Sequence, residues 1–320
     1  MRRIAIKRQI VDKPNESHKT HSNPIPYLGG VAIVVGVTLV SYLALFVGGF
    51  SLSKVALASS ILVPALLVGV IGLIDDVKKL TPLSRFLAQN AIAIVSTQIL
   101  ITTETVGSPT DNVLFDFLIT MFWIVGLTNA LNFFDNIDGG AAGTAAISAS
   151  FLFVLAIQGS QFFIAALALV LAGGTIGFLI WNRPPARIYM GDAGALFLGL
   201  LIASLTIRFD PNPINRFAGF SVPFFLMAVP IMDTSVVVTK RLIRRISPFR
   251  GGRDHLSHRL MRAGLTKRQS VASLWLITVF FCLIALGASN ASFSLEGLVS
   301  AIGFSVWLVI FLLFVRTKDS

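Results

Sequence analysis

The sequence predicts an all-α, polytopic membrane protein with about ten transmembrane helices, and three observations carry that prediction. Of its 320 residues, 55% are hydrophobic and 13% charged, with a mean hydropathy of +0.81. A soluble domain holds about 45–50% apolar and about 25% charged residues. The apolar residues gather into runs close to the length a bilayer core requires, about 20 residues. Finally, the cations fall almost entirely on one side of the resulting map. Residues 1–320 are read as a single membrane domain, with a cytoplasmic lead-in at 1–27 and a large cytoplasmic loop at 239–268.

In chain order the runs are 28–49, 54–74, 83–103, 113–131, 140–157, 161–181, 193–208, 217–238, 269–289 and 295–315. Those at 140–157 and 193–208 are short and rich in small residues. An even number of crossings leaves both termini on one side. On that side fall 23 of the 26 Lys and Arg residues, against Lys54, Arg208 and Arg216 on the other. Cations are retained on the cytoplasmic side, so both termini are expected there. The first 27 residues contain no apolar core of a signal peptide. Cys282, the single cysteine, lies inside an apolar run, which excludes a disulfide framework and a cysteine metal site. The net charge of +11 follows the loops, arguing for membrane topology and anionic substrates rather than nucleic acid.

Polar residues stand out against this background. Asn129-Ala-Leu-Asn132-Phe-Phe-Asp135-Asn-Ile-Asp138-Gly139-Gly140 ends the fourth run. Read as helix, its three-residue spacing sets Asn132, Asp135 and Asp138 within an arc of about 120°. Two carboxylates and an amide on one side suit a hard cation or a phosphate-bearing substrate. A helix cap followed by a glycine turn is the rival reading. Asp75-Asp76-Val-Lys78-Lys79 ends the second run, where neighbouring side chains point about 100° apart, so that one carboxylate faces inward and the other elsewhere. Together with a lysine they suit a divalent ion and a phosphate; snorkelling to water is the alternative. Asp192, in Tyr189-Met-Gly191-Asp192-Ala-Gly194, opens the seventh run, where a capping aspartate is also common. Before it, Trp181-Asn182-Arg183-Pro184-Pro185-Ala186-Arg187 offers an amide and two guanidinium groups. In the large loop, Arg253-Asp254-His255-Leu-Ser257-His258-Arg259 sets two imidazoles at i, i+3 between arginines, which favours an anion site over a metal site. Near the N-terminus, the prolines around Val11-Asp12-Lys13-Pro14-Asn15 and Pro24-Ile-Pro26 predict an ordered lead-in.

In this order and spacing, from about residue 11 to 260, these motifs resemble the polyprenyl-phosphate N-acetylhexosamine-1-phosphate transferases. The pieces are V-D-K-P-N, D-D-V-K-K, N-A-L-N-F-F-D-N-I-D-G, W-N-R-P-P-A-R-I-Y-M-G-D-A-G-A, P-I-M-D ending at Asp233, and D-H-L-S-H-R-L. The resemblance implies transfer of a sugar-1-phosphate from a UDP-N-acetylhexosamine, most simply UDP-GlcNAc, to undecaprenyl phosphate. UMP is released at the cytoplasmic face of a bacterial inner membrane, and a cell-envelope glycan is initiated. It implies Mg²⁺, with Mn²⁺ as a substitute, and leaves a homodimer open. By position, Asp75, Asp76, Asp135 and Asp138 match the catalytic carboxylates, and Asp192 the metal ligand. Lys79, Asn132, Asn182, Tyr189, His255, His258 and Arg259 match substrate-binding positions. Two departures stand out. Ser257 stands where many members have histidine, and members usually carry one more span ahead of the V-D-K-P-N loop. UDP-MurNAc-pentapeptide as donor, and a cation-coupled transporter, are the rival functions.

Overall fold

The computed structural model describes residues 1–12, 24–49, 51–103, 110, 112–211, 216–247, 252–291 and 293–317. Of the lead-in expected to be ordered by its prolines, residues 13–23, including Lys13, Pro14 and Asn15, lie outside the described residues. The remainder of the lead-in forms α1 (Arg2–Lys7) and a short antiparallel pair, β1 (Val11–Asp12) with β2 (Ile25–Pro26), in the register Val11 to Pro26 and Asp12 to Ile25. All other elements are helices: α2 (Gly29–Val47), α3 (Leu52–Lys78), α4 (Pro82–Thr102), α5 (Val113–Phe134), α6 (Gly140–Gln158), α7 (Phe162–Asn182), α8 (Gly191–Arg208), α9 (Arg216–Leu226), α10 (Ala228–Ile243), α11 (Leu256–Arg262), α12 (Lys267–Asn290) and α13 (Phe293–Arg316). Each predicted run is helical. Among the described residues eight helices are long and apolar enough to cross a membrane, or nine if the bent pair α9–α10 is one span.

The predicted run outside that set is α4. One face carries Gln89, Ser96 and Thr97, all buried, and Arg85 stands in its first turn. Its 21 residues span about 31 Å at 1.5 Å per residue. Arg85 meets Asp192 at the start of α8, and Thr103 accepts a hydrogen bond from Arg208 at the end of α8. These bonds join each end of α4 to an end of α8, while along its length α4 packs on α3 and α5, so its polarity faces protein.

The 217–238 run is broken at Met227, and α9 and α10 bend by 77°. Proline explains the break. Pro230 has no N–H to give to Leu226 O, the acceptor four residues back. Ser148 Oγ supplies that bond instead, at 2.6 Å, and Trp307 Nε1 reaches Ala228 O at 3.0 Å.

The core is built around α8, one of the two runs that are short and rich in small residues. Leu196 to Ala203 are all buried, and α2, α3 and α5 enclose the helix. Small residues let these backbones approach closely, which drives helix association in lipid. A Cβ on Gly30 would collide with the backbone of Gly194. Cys282 is buried in α12.

Candidate active site

Three tight connections bring the polar motifs to one end of the bundle. After α3, Lys79 adopts a left-handed conformation (φ 53°), and Thr81 with Pro82 starts α4 at once. This hairpin returns Arg85 to Asp75. After α5, Asp135 takes the C-cap position, and Gly139 (φ 74°) opens α6. Asp135 and Asp138 therefore do not continue the helix, as their spacing predicted; Asp, Asn and Gly favour the turn. Before α8, Tyr189 N donates to Pro26 O, while Gly29 N and Gly30 N donate to Tyr189 O and Met190 O. Those bonds tie the lead-in to the loop.

The result is a cavity of about 470 Å³ lined by Asp12, Tyr27, Asp75, Asp76, Lys79, Asn132, Asp135, Asn136, Asp138, Asn182, Tyr189, Asp192, His258 and Lys267, among others. Ten of the twelve predicted site residues are in that lining. His255 and Arg259 are not.

The carboxylates divide the work. Asp76 accepts from Asp192 N at 2.9 Å and Ala193 N at 3.1 Å, so it caps α8 from across the bundle. A Cβ on Gly191 (φ 74°) would lie 2.6 Å from Asp76 Oδ2, so glycine is required there for both conformation and space. Asp192 is not a cap. Its Oδ1 accepts from Asn132 Nδ2 at 2.7 Å and its Oδ2 from Arg85 Nη1 at 2.6 Å. The same Arg85 nitrogen lies 2.8 Å from Asp75 Oδ2, and Asp75 Oδ1 accepts from Leu80 N at 2.6 Å. Both members of the Asp75–Asp76 pair thus reach the cavity, each toward a different partner, where helical geometry predicted one facing away.

Asp138 is fully engaged, with Lys267 Nζ at 2.8 Å from Oδ1 and Ala186 N at 2.9 Å from Oδ2. Beside it, Gly139 N donates to Asn182 Oδ1 and Asn182 Nδ2 to Ile188 O, both at 2.9 Å. Asn182 therefore spends its amide on the protein. The Asp135 carboxylate, by contrast, makes no hydrogen bond or ion pair among the described residues. Burial, with Asp192, Asp76 and Asp138 nearby, pushes its carboxyl up to about 8. Burial likewise holds the Tyr27 and Tyr189 phenols above their usual range.

His255 Nδ1 sits 2.7 Å from Asp233 Oδ2, a side chain with no exposure, and Leu256 N donates to Asp233 Oδ1 at 2.7 Å. The two imidazoles expected to act together are 6.5 Å apart between ring centres, and only His258 lines the cavity. Burial, reinforced by His255, Arg253 and Arg262, lowers His258 to about 4, leaving it neutral at pH 7. Ser257, the departure from the family pattern, is buried and donates to Asn136 Oδ1 at 2.5 Å. Arg183 and Arg187 are not in the lining, and Arg187 lies 5.9 Å from the Trp181 ring centre.

Arg85, Lys267 and Tyr27 were not singled out by the sequence, and Asp12 was read only as part of the lead-in motif. Arg85 and Lys267 were absorbed into the count of cytoplasmic cations, although Arg85 opens a run just after the Asp75–Asp76 motif. As they stand, no three carboxylate or imidazole side chains among the described residues converge tightly enough to hold a metal ion. Most donors facing the cavity are nevertheless carboxylate and amide oxygens, and the unengaged Asp135 beside Asp192 has the chemistry of a hard-cation site.

Residues 58–210 match the family model described as Glycosyl transferase family 4. A probable undecaprenyl-phosphate N-acetylglucosaminyl 1-phosphate transferase of Bacillus subtilis is 33% identical, over 98% of this chain and 84% of its own length. This chain belongs to the polyprenyl-phosphate N-acetylhexosamine-1-phosphate transferase family. A decaprenyl-phosphate N-acetylglucosaminephosphotransferase of Mycolicibacterium smegmatis is 32% identical, over 92% of this chain and 78% of its own. The undecaprenyl-phosphate alpha-N-acetylglucosaminyl 1-phosphate transferase of Yersinia pestis is 27% identical, over 98% and 85%. Within the family, the D-D, N-F-F-D-N-I-D and G-D-A-G motifs of this member meet in the one cavity.

Proposed function

We infer that the protein transfers N-acetylglucosamine-1-phosphate from UDP-GlcNAc to undecaprenyl phosphate, releasing UMP and starting a cell-envelope glycan. The observation that carries this reading is the junction of Asp75, Asp76, Asp135, Asp138 and Asp192 in one cavity within a family whose relatives are named for that transfer. A phosphate oxygen of the lipid attacks the phosphorus that bears the sugar. The new P–O bond forms as the bond to the UMP oxygen breaks, and UMP departs with the electron pair. Relatives named for N-acetylglucosamine favour that donor over UDP-MurNAc-pentapeptide.

Both substrates are anions, and six of the lining residues are aspartates, so charge must be offset before they meet. Mg²⁺, or Mn²⁺ in its place, held by Asp192 with Asp135 beside it, would supply that offset and stabilise charge on the transferring phosphoryl group. Lys79 and Lys267 add cations from opposite sides of the D-D and D-N-I-D motifs. Asp76 works through Asp192, by holding the helix turn that carries it. Asp138 holds the 183–190 loop against the start of α12. Asn132 fixes the Asp192 carboxylate, and Tyr189 offers a neutral phenol to the nucleotide.

The bundle is read as ten crossings with both termini cytoplasmic. The length of α4, with one end bonded to the start of α8 and the other to its end, supports counting α4, and the bent pair supplies another. That topology puts the cavity at the cytoplasmic face of a bacterial inner membrane, where the lipid tail stays in the bilayer. A homodimer is compatible with this arrangement.

The test is UMP release by purified protein given undecaprenyl phosphate, Mg²⁺ and a panel of UDP-sugars. Release only with lipid acceptor and divalent cation, fastest with UDP-GlcNAc, is the expected result. No UMP from any donor would overturn the reading.

A further inference from the structure

Residues 254–259 form an arm whose polar side chains are nearly all spent on the protein. Arg241 grips Asp254 with both Nε and Nη2, each bond 2.8 Å, and despite burial this fork holds the Asp254 carboxyl below its usual range. His255 is bound to Asp233, and Ser257 to Asn136. Arg259, 3% exposed, turns away from the cavity. Its Nε donates to Asp254 O at 2.8 Å, and its Nη1 donates to Thr317 Oγ1 at 2.7 Å and Phe314 O at 3.1 Å. The Thr317 hydroxyl in turn donates to Phe314 O. His258 is the arm's one polar side chain that lines the cavity.

Phe314 and Thr317 stand at the C-terminal end of α13. The last carbonyls of a helix lack amide partners, and a guanidinium satisfies both their hydrogen bonding and the negative end of the dipole. The rest of α13 packs on α9, α10 and α12, and none of its residues lines the cavity. Arg259 is therefore a direct polar link from that helix to the arm that carries His258.

We propose that the end of the last helix is a working part of the active site: Phe314 and Thr317 hold Arg259, Arg259 fixes the arm, and the arm sets His258 against the cavity. Arg259 and Thr317 are positioning residues, and His258 makes the contact with substrate. This assignment differs from the substrate-binding role that family position implied for Arg259. It rests on the transferase reading of the cavity.

The experiment compares full-length wild type with Thr317→Val, Thr317→Ser, Arg259→Gln, His258→Ala and the Thr317→Val/Arg259→Gln double variant. Kinetics of UMP release are measured for each, with hydrogen exchange over 252–262 and thermal midpoint in the same detergent. Thr317→Val should change kcat and KM for the UDP-sugar in the same proportion as His258→Ala, with about a three- to tenfold loss in kcat/KM. Thr317→Ser, which keeps the hydroxyl, should match wild type. In the Arg259→Gln background Thr317→Val should add nothing, because the bond is already gone. Wild-type kinetics in Thr317→Val beside a crippled Arg259→Gln would overturn the proposal, as would losses that multiply. If the wild type releases no UMP, the transferase reading fails and exchange decides alone. Faster exchange across the arm in Thr317→Val then supports the proposal, and unchanged exchange overturns it.

Discussion

Asp135 and Asp138 lie three residues apart and line the same cavity, yet their surroundings give them opposite properties. Asp138 is held by Lys267 and Ala186 N, so its charge is matched. Removing the cation strands a buried carboxylate, whereas removing the charge leaves an amide that still accepts from Ala186 N. Lys267→Met should therefore destabilise more than Asp138→Asn, by about 1–3 kcal/mol at pH 7, measured by thermal unfolding in detergent. The reverse order would refute the matched pair. Asp135 has no such match, and its folded value of about 8 stands above the unfolded value of about 3.9. The folded state favours the protonated acid, so this contribution is complete below about pH 4 and is lost as pH rises through about 8. The thermal midpoint of cation-free protein should fall across that window, and fall less in Asp135→Asn. Parallel slopes would exclude the effect. For Asp192, replacement by Asn should lower turnover by at least about 100-fold and raise the Mg²⁺ needed, followed by UMP release. Ordinary activity at ordinary Mg²⁺ would remove it from the metal site.

At the scale of elements, the helices were legible and their joints were not. Each apolar run became helical, the 217–238 run as two helices, because in lipid the backbone must satisfy itself. The break at Met227 depends on Ser148 and Trp307, which lie far away in sequence and accommodate what Pro230 leaves open. Ser148→Ala should therefore cost about 0.5–1.5 kcal/mol, visible as a lower thermal midpoint, while an unchanged midpoint would deny its role at the break. The acidic motifs were legible because carboxylates are rare in apolar runs. Arg85 and Lys267 were hidden by the expectation that cations mark the cytoplasmic side. His255 and Arg259 matched the family pattern, but their direction depends on Asp233 and the end of α13, which spacing alone does not reveal. The close approach of Gly30 and Gly194 likewise follows only from helix packing. Gly194→Ala should reduce the yield of monodisperse protein, because backbone cannot yield as a side chain does.

For the whole molecule, the arrangement has a strict alternation. Contacts at the site end, such as Arg85 with Asp192, are matched at the far end by Arg208 with Thr103 and by Gln161 with Asp210. Exposed positions at the two ends should therefore be reached from opposite sides of the membrane. Ser51 and Ser160 lie at the far end, and Arg245 at the site end. A cysteine at either serine should react with an impermeant maleimide added to intact cells, and one at Arg245 only after the membrane is opened. Labelling of all three from outside would reject the topology. Cys282, buried within α12, makes this unusually direct. The natural chain carries one thiol, shielded from aqueous reagents, so every engineered cysteine reports against a silent background without first stripping the protein of its own.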